Sequence, residues 1–236
     1  MHDNNIKDDR GYNQGWADTP STRIRYERRC DALIECMTKN ENESVLEIGC
    51  GTGEVSFMLA QKTNKNVLGT DLCVPFIEGA TQQFIHPKLS FEVLNFNEID
   101  SFTGRKFDYL VGNGILHHLY YNLDAALINL KKLLTPTGKI IFWEPNLSNP
   151  YIYLIFTYPS LRKKASLEPD EMAFSKKFIE DKLRTAGFTK INVSYRDFLL
   201  PGIPEALVKP SIVIGDVVEK IPVLRNVSQS LFIEAS

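Results

Sequence analysis

Short runs of consecutive apolar residues alternate along the chain with stretches whose apolar positions recur three and four apart, the pattern of an α/β protein. Thr19 suits a helix cap and Pro20 a first helical turn, after which Ile24, Cys30, Leu33, Ile34 and Met37 share one face. Residues 44–48 read as a buried strand that ends in a glycine-rich turn. Val55, Met58 and Leu59 then mark a helix, and residues 66–70 form a second strand that stops at Asp71. A strand, loop, helix and strand in that order require parallel pairing and a right-handed crossover. The alternation continues with a helix at 74–84, strands at 89–94 and 107–112, a helix at 124–134 and a strand at 139–144. Leu123, Leu127, Leu130 and Leu134 make one stripe, and the turn residues Thr135-Pro136-Thr137-Gly138 end that helix. In the last third, prolines from Pro145 to Pro210 interrupt apolar and aromatic stretches. A helix at 173–186 closes at Gly187, with Glu180 and Arg184 spaced for an i,i+4 pair. Strands at 190–195 and 229–234 flank an apolar helical insertion at 203–220. The expectation is a seven-stranded, mostly parallel sheet with helices on both faces, its last strand antiparallel, and lid insertions after strands five and six.

The 236 residues suit one domain, divided into an N-terminal arm and helix (1–40), a ligand-binding core (41–146) and a C-terminal part with substrate-side insertions (147–236). A net charge of −2 provides no positive field for a polyanion, so nucleic acid is not an expected partner. Cys30, Cys36, Cys50 and Cys73 match no zinc-finger spacing and are too sparse for a disulfide scaffold; no metal site is read from the sequence. Residues 1–10 are polar and unlike a signal or transit peptide, and the apolar run 151–159 is too short to cross a bilayer. A cytoplasmic protein without stable membrane insertion is expected.

The strongest signal is V-L-E-I-G-C-G-T-G at 45–53, a strand followed by a glycine loop that opens a helix, where backbone amides can meet a ligand. Dinucleotides and S-adenosylmethionine compete for such a loop. A dinucleotide fingerprint needs a third glycine three positions after Gly51, where this chain has Glu54. Carboxylates at Glu47 and Glu54 would repel a pyrophosphate, whereas Glu47 suits the ammonium and sulfonium of S-adenosylmethionine. Asp71, at the end of the next strand, can accept ribose hydroxyls from either cofactor.

From about residue 45 to 146 these features resemble the class I S-adenosylmethionine-dependent methyltransferases of the small-molecule type, which implies an α/β, Rossmann-like fold. The resemblance implies that Glu47, Gly49, Cys50, Gly51 and Gly53 lie against the methionine part of the cofactor. Asp71 then holds the ribose, Leu72 lies beside the adenine, and Asn95 and Phe96 meet the adenine amine and ring. Asn95 stands where Asp is frequent in the family. Asn113 and the following loop to Leu119 would touch cofactor on one side and acceptor on the other. The family's D/N-P-P-Y/F/W loop for exocyclic base methylation is absent, since that place holds Asn113-Gly114-Ile115-Leu116.

Methyl transfer is an in-line displacement, for which positioning supplies much of the acceleration. A hydroxyl acceptor would also need a base, and His118, with His117 as its alternative, lies at the strand-four edge where open sheets bind ligands. Tyr12, Trp16 and Tyr26 could close over a cationic sulfonium. Arg23 and Arg25 could reach the cofactor carboxylate or form a solvated face. Glu144 and Asn146 are the substrate-side candidates at the end of strand five, beside apolar insertions at 151–158 and 198–218 that suit a small-molecule or lipid-like acceptor. The reading is a methyltransferase acting on a small or amphiphilic molecule, with oxygen favoured and S-adenosylhomocysteine as coproduct. Its rivals are a nicotinamide-dependent oxidoreductase and a non-catalytic S-adenosylmethionine-binding protein. Oligomeric state stays open, a homodimer included.

Overall fold

The central strands are apolar at successive positions because helices cover both faces of the sheet. In β1 (Ser44–Ile48), Val45 faces one core and Leu46 and Ile48 the other; in β4 (Phe107–Asn113), Tyr109 and Val111 oppose Leu110 in the same way. In β5 (Leu134–Pro145), Ile141 and Trp143 join the first core while Ile140 and Phe142 join the second. The first core is closed by α1 (Pro20–Glu35) through Cys30 and Leu33, and by α2 (Glu54–Thr63) through Val55 and Leu59. The second is closed by α4 (Leu123–Leu133) through Leu123, Leu127 and Leu130, and by α7 (Lys176–Thr185) through Ile179 and Leu183.

The computed structural model describes residues 19–96, 102, 104–199 and 203–236. Among them, β2 (Asn66–Asp71), α3 (Val74–Gln83), β3 (Leu89–Val93), α5 (Pro150–Thr157), α6 (Pro159–Lys164), β6 (Ile191–Arg196), α8 (Glu205–Val218) and β7 (Ser230–Ala235) complete the fold. The seven strands form one sheet in the order β3-β2-β1-β4-β5-β7-β6. All neighbours pair in parallel except β7, which runs antiparallel to both β5 and β6. Strand order reverses between β1 and β4, and the crevice beyond their carboxyl ends is where an open α/β sheet takes ligands. The sheet and its antiparallel last strand are as expected. No helix among the described residues is long and apolar enough to cross a membrane.

Local chemistry moves two boundaries. The helix expected at 173–186 starts only at Lys176, because Ser175 caps it by accepting from the Phe178 amide at 3.3 Å. Phe174 instead bridges to Asn146 as extended chain and stacks on Tyr120 and Phe178. The turn expected at 135–138 lies inside β5, where pairing jumps from Phe107–Leu134 to Tyr109–Lys139. That jump is a bulge, which accommodates the extra residues without ending the strand. The two insertions also turn outward: Tyr151, Tyr153 and Leu154 of α5 and Val213, Ile214 and Val217 of α8 are exposed.

Gly112, in the middle of the sheet, carries Phe142 and Ile115 where a side chain would project: an added Cβ would lie 2.5 Å from the Phe142 ring and 2.7 Å from Ile115. Gly112→Ala is expected to destabilise by about 1–3 kcal/mol through overpacking. The denaturant midpoint should fall with the m-value unchanged, and an unchanged midpoint would contradict this packing.

Candidate functional site

The loop between β1 and α2 is built from glycine dihedrals. Gly49, Gly51 and Gly53 have φ of 67°, 54° and 91°, the left-handed region that L side chains avoid. A Cβ on Gly49 would also lie 2.6 Å from Ile115, which closes that side, whereas a Cβ on Gly51 would meet nothing within 4 Å. Gly51 therefore presents bare backbone to an open concavity. The loop is pinned from below by the Cys50 amide, which donates to Thr70 O at 2.9 Å, and by the Gly51 amide, which donates to Asp71 Oδ2 at 2.9 Å.

Two carboxylates back this loop, and burial raises both. Glu47 is 1% exposed and accepts from the Ser56 hydroxyl. Desolvation outweighs that bond and, with Glu54 and Asp71 nearby, pushes its pKa up to about 8. Asp71 is raised by burial as well, against the opposing pull of the Cys73 and Gly51 amides. Glu47 thus holds a proton at neutral pH that an approaching cation would displace.

Two chambers flank the loop. One, of about 100 Å³, is lined by Glu47, Cys50, Thr52, Tyr26 and Asn113. The other, of about 260 Å³, is bordered by Asp71, Leu72, Asn95, Phe96, His118 and Glu168; Gly49, Gly51 and Phe76 line both. Every cofactor-side residue singled out from the sequence except Gly53 lines one chamber or the other, and Gly53 caps α2 just behind the loop. Tyr12 and Trp16 lie outside the described residues. Arg25 does not reach these chambers: with Arg29 it holds Asp197, at 2.9 and 2.7 Å. That pair outweighs the burial of Asp197 and keeps its carboxyl below the usual range. Arg29 also donates to Asn113 Oδ1 at 2.6 Å, fixing the wall of the smaller chamber. A separate cavity of about 300 Å³ between α1 and α8 is rimmed by such paired charges.

The acceptor side differs most from expectation. Glu144 is not a cavity residue: it is 1% exposed and accepts from the amides of Ile115, Leu116 and His117 at 3.0, 2.7 and 3.2 Å. Its Oε2 also pairs with His117 Nδ1 at 2.8 Å. Asn146 is likewise buried, donating to the Asn226 and Ser228 carbonyls and accepting from the Ser148 amide. Both are anchors because their polar atoms are consumed by backbone. His117 has its second nitrogen, Nε2, 3.2 Å from Glu171, so neither ring nitrogen is free. Burial alone would lower its pKa, but the bonds to Glu144 and Glu171 prevail and hold it at about 9. His118 is the imidazole that lines the larger chamber. Glu168 and Glu171 were missed in the sequence because they sit on an irregular segment some fifty positions from the histidines, with no periodicity to flag them. Arg162 holds that segment by donating to the carbonyls of Glu168, Pro169 and Glu171.

Residues 46–140 match the family model of a methyltransferase domain. A "Highly reducing polyketide synthase 40" from Fusarium mangiferae is 31% identical over 128 residues, covering 51% of this chain and 5% of that protein. "Lovastatin diketide synthase lovF" from Aspergillus terreus is 28% identical over 179 residues, covering 69% of this chain and 7% of that protein. The chain therefore spans only a small part of the length of these curated relatives. Among solved structures, an S-adenosylmethionine-dependent methyltransferase from Archaeoglobus fulgidus superposes with a TM-score of 0.63 at 16% identity, covering 90% of this chain and 93% of that one. Phosphoethanolamine N-methyltransferase 2 from Haemonchus contortus, in complex with S-adenosyl-L-methionine, gives 0.63 at 15% identity over 89% of this chain and 52% of that one. Residues 46–140 thus resemble a methyltransferase domain, and the fold is that of S-adenosylmethionine-dependent methyltransferases.

Protonated Glu47 contributes stability that is whole below about pH 4.5 and is lost as pH rises to about 8, since the unfolded chain ionises first. At ~1.4 kcal/mol per pKa unit the total reaches a few kcal/mol. Glu47→Gln, which stays neutral, should lack this slope in chemical denaturation between pH 5 and 8. Parallel pH profiles for variant and wild type would remove the buried-proton account.

Proposed function

We propose that this chain binds S-adenosylmethionine across the glycine loop and transfers its methyl group to an oxygen of a small or amphiphilic acceptor. The observation that carries the reading is that one cavity is lined both by the bare backbone of Gly51 and by an imidazole, His118. The cofactor supplies an electrophilic methyl on a sulfonium. The protein's residues do the rest: Glu47, behind Gly49, Cys50 and Gly51, meets the ammonium end, with Asn113 on the opposite wall. Asp71 holds the ribose hydroxyls, Leu72 and Phe96 flank the adenine, and Asn95 takes its amine.

His118 takes the acceptor's proton, a contribution worth roughly 10²–10⁴-fold in rate. His117, clamped between Glu144 and Glu171, positions the loop. The small, amphiphilic acceptor draws support from relatives whose names are those of polyketide synthases. The nicotinamide alternative is disfavoured by Glu54 in the place of a third glycine and by two carboxylates behind the loop. We take the whole span as one unit, since β7 from the C-terminal part inserts between β5 and β6 and α1 packs on α2. Four free cysteines suit the reducing cytoplasm.

Calorimetric titration should give binding of S-adenosylmethionine and S-adenosylhomocysteine and none of NAD; the reverse pattern would replace this reading with an oxidoreductase. With hydroxyl-bearing polyketide-like acceptors, His118→Ala is expected to lose about 10²–10⁴-fold in kcat while cofactor affinity stays within a few fold. Unchanged turnover would remove His118 as the base.

A further inference from the structure

The loop after β4 and the segment before α7 bring together more ligand chemistry than proton transfer by one imidazole requires. His117 Nε2 and His118 Nδ1 lie 3.2 and 3.3 Å from the same oxygen, Glu171 Oε2. Glu168 Oε1 lies 3.7 Å from His118 Nδ1. The ligand atoms of His117, His118 and Glu171 all fall within 4.8 Å of one another. We propose that His117, His118 and Glu171, with Glu168 as a looser fourth ligand, form a binding site for a zinc-type divalent cation at the wall of the larger chamber. No metal site was read from the sequence, and the cluster appears only when the fold joins the two segments.

Three features beyond proximity support the assignment. First, a tetrahedral zinc site with metal–nitrogen and metal–oxygen bonds of about 2.0–2.1 Å has ligand atoms roughly 3.3 Å apart. The two imidazole-to-Glu171 separations match that edge, and two nitrogens with carboxylate oxygens are a donor set zinc accepts. Secondly, a metal-ligating imidazole almost always gives its other nitrogen to a carboxylate or carbonyl. His117 does so, with Glu144 at 2.8 Å on Nδ1, leaving Nε2 for the ion. Thirdly, the carboxylates are preset. Glu171 uses Oε1 to accept from the Glu168 amide at 2.6 Å, which turns Oε2 toward both rings, and Arg162 holds the backbone of the segment on three carbonyls.

Charge agrees with geometry. Glu144, Glu168 and Glu171 are all under 10% exposed and face two imidazoles. Desolvated carboxylates in excess are costly unless cations compensate them. One divalent ion bound by neutral rings provides the same compensation as two extra protons. Glu168 and His118 border the chamber, so a ligand entering it could replace the looser Glu168 as the fourth ligand. The binding site stands on these side chains alone, so a failed cofactor titration would leave it untouched; with the ion bound, His118 is a ligand and no longer a base, so its proton-accepting role belongs to the metal-free chain.

The test uses untagged full-length chain stripped with a chelator, titrated with ZnCl₂ by calorimetry and with CoCl₂ by visible absorption. The expected result is one ion per chain and a four-coordinate cobalt spectrum without thiolate charge-transfer bands. Glu171→Gln and His118→Ala, checked for native circular dichroism and metal-free melting, should each lose affinity by at least the roughly 10–100-fold typical of a removed outer-shell partner. Two substitutions guard against one failing to fold. No stoichiometric uptake, thiolate bands from the cysteines, or unchanged affinity in the folded variants would each overturn the site and leave an ion-pair network without metal.

Discussion

The carboxylate of Glu144 organises the ligand-binding end of the sheet. It sits at the end of β5, shielded from water, and collects three consecutive backbone amides and one imidazole nitrogen from the loop after β4. An ionised group buried without partners would be prohibitively costly, and losing a partner from such a set typically costs about 3–5 kcal/mol. Residues 115–117 take the course that brings their amides to this carboxylate and satisfies it. Three consequences follow from that course. Ile115 is laid over Gly49 and, together with Phe142, over Gly112, which is why neither position tolerates a Cβ. His117 is rotated inward, and His118, the next residue, is left on the chamber wall.

The other half of the site is governed by backbone rather than side chains. Gly51 turns bare peptide toward the chamber, and the loop is held from beneath by Thr70 and Asp71 at the end of the neighbouring parallel strand. Parallel register makes this possible: Glu47 lies opposite Gly69 and Ile48 opposite Thr70, so both strands end at the same level. Gly69 has its own reason, since a Cβ there would press on Ser56 Oγ at 2.5 Å, the hydroxyl that Glu47 needs. Loop, strand ends and buried acid form one coupled unit.

That contrast explains what was legible in the sequence. The glycine loop, Asp71 and the element order were readable because each is local: a strand ends, glycine dihedrals follow, a helix begins. Glu144 and Asn146 were visible as polar residues at a strand end, but their direction was not. Which way a strand-end carboxylate points depends on whether unpaired amides wait beneath it, and those amides belong to a loop about thirty residues earlier. Glu168 and Glu171 were invisible for the same reason in stronger form, since no local pattern marks a carboxylate whose partners are on another element. Ser175 was legible in principle as a cap, and the apolar Ala173-Phe174 pair before it obscured the helix start.

Distance along the chain also separates the two halves functionally. Backbone contacts at residues 49–53 constrain only the ligand's shape and approach, so they suit a cofactor common to many acceptors. The chamber wall opposite Asp71 is assembled from His118 and Leu119, on the loop after β4, and Glu168, on the segment before α7. Substitutions of these side chains change the chamber's surface while the sheet and the glycine loop stay intact. In this chain two imidazoles and three carboxylates are packed behind that wall, and His118 and Glu168 reach the chamber beside Asp71, Asn95 and the apolar Leu72, Phe76, Phe96 and Leu119. The apolar part of that surface lowers the local dielectric, so a group that meets His118 and Glu168 there interacts more strongly than it would in bulk water.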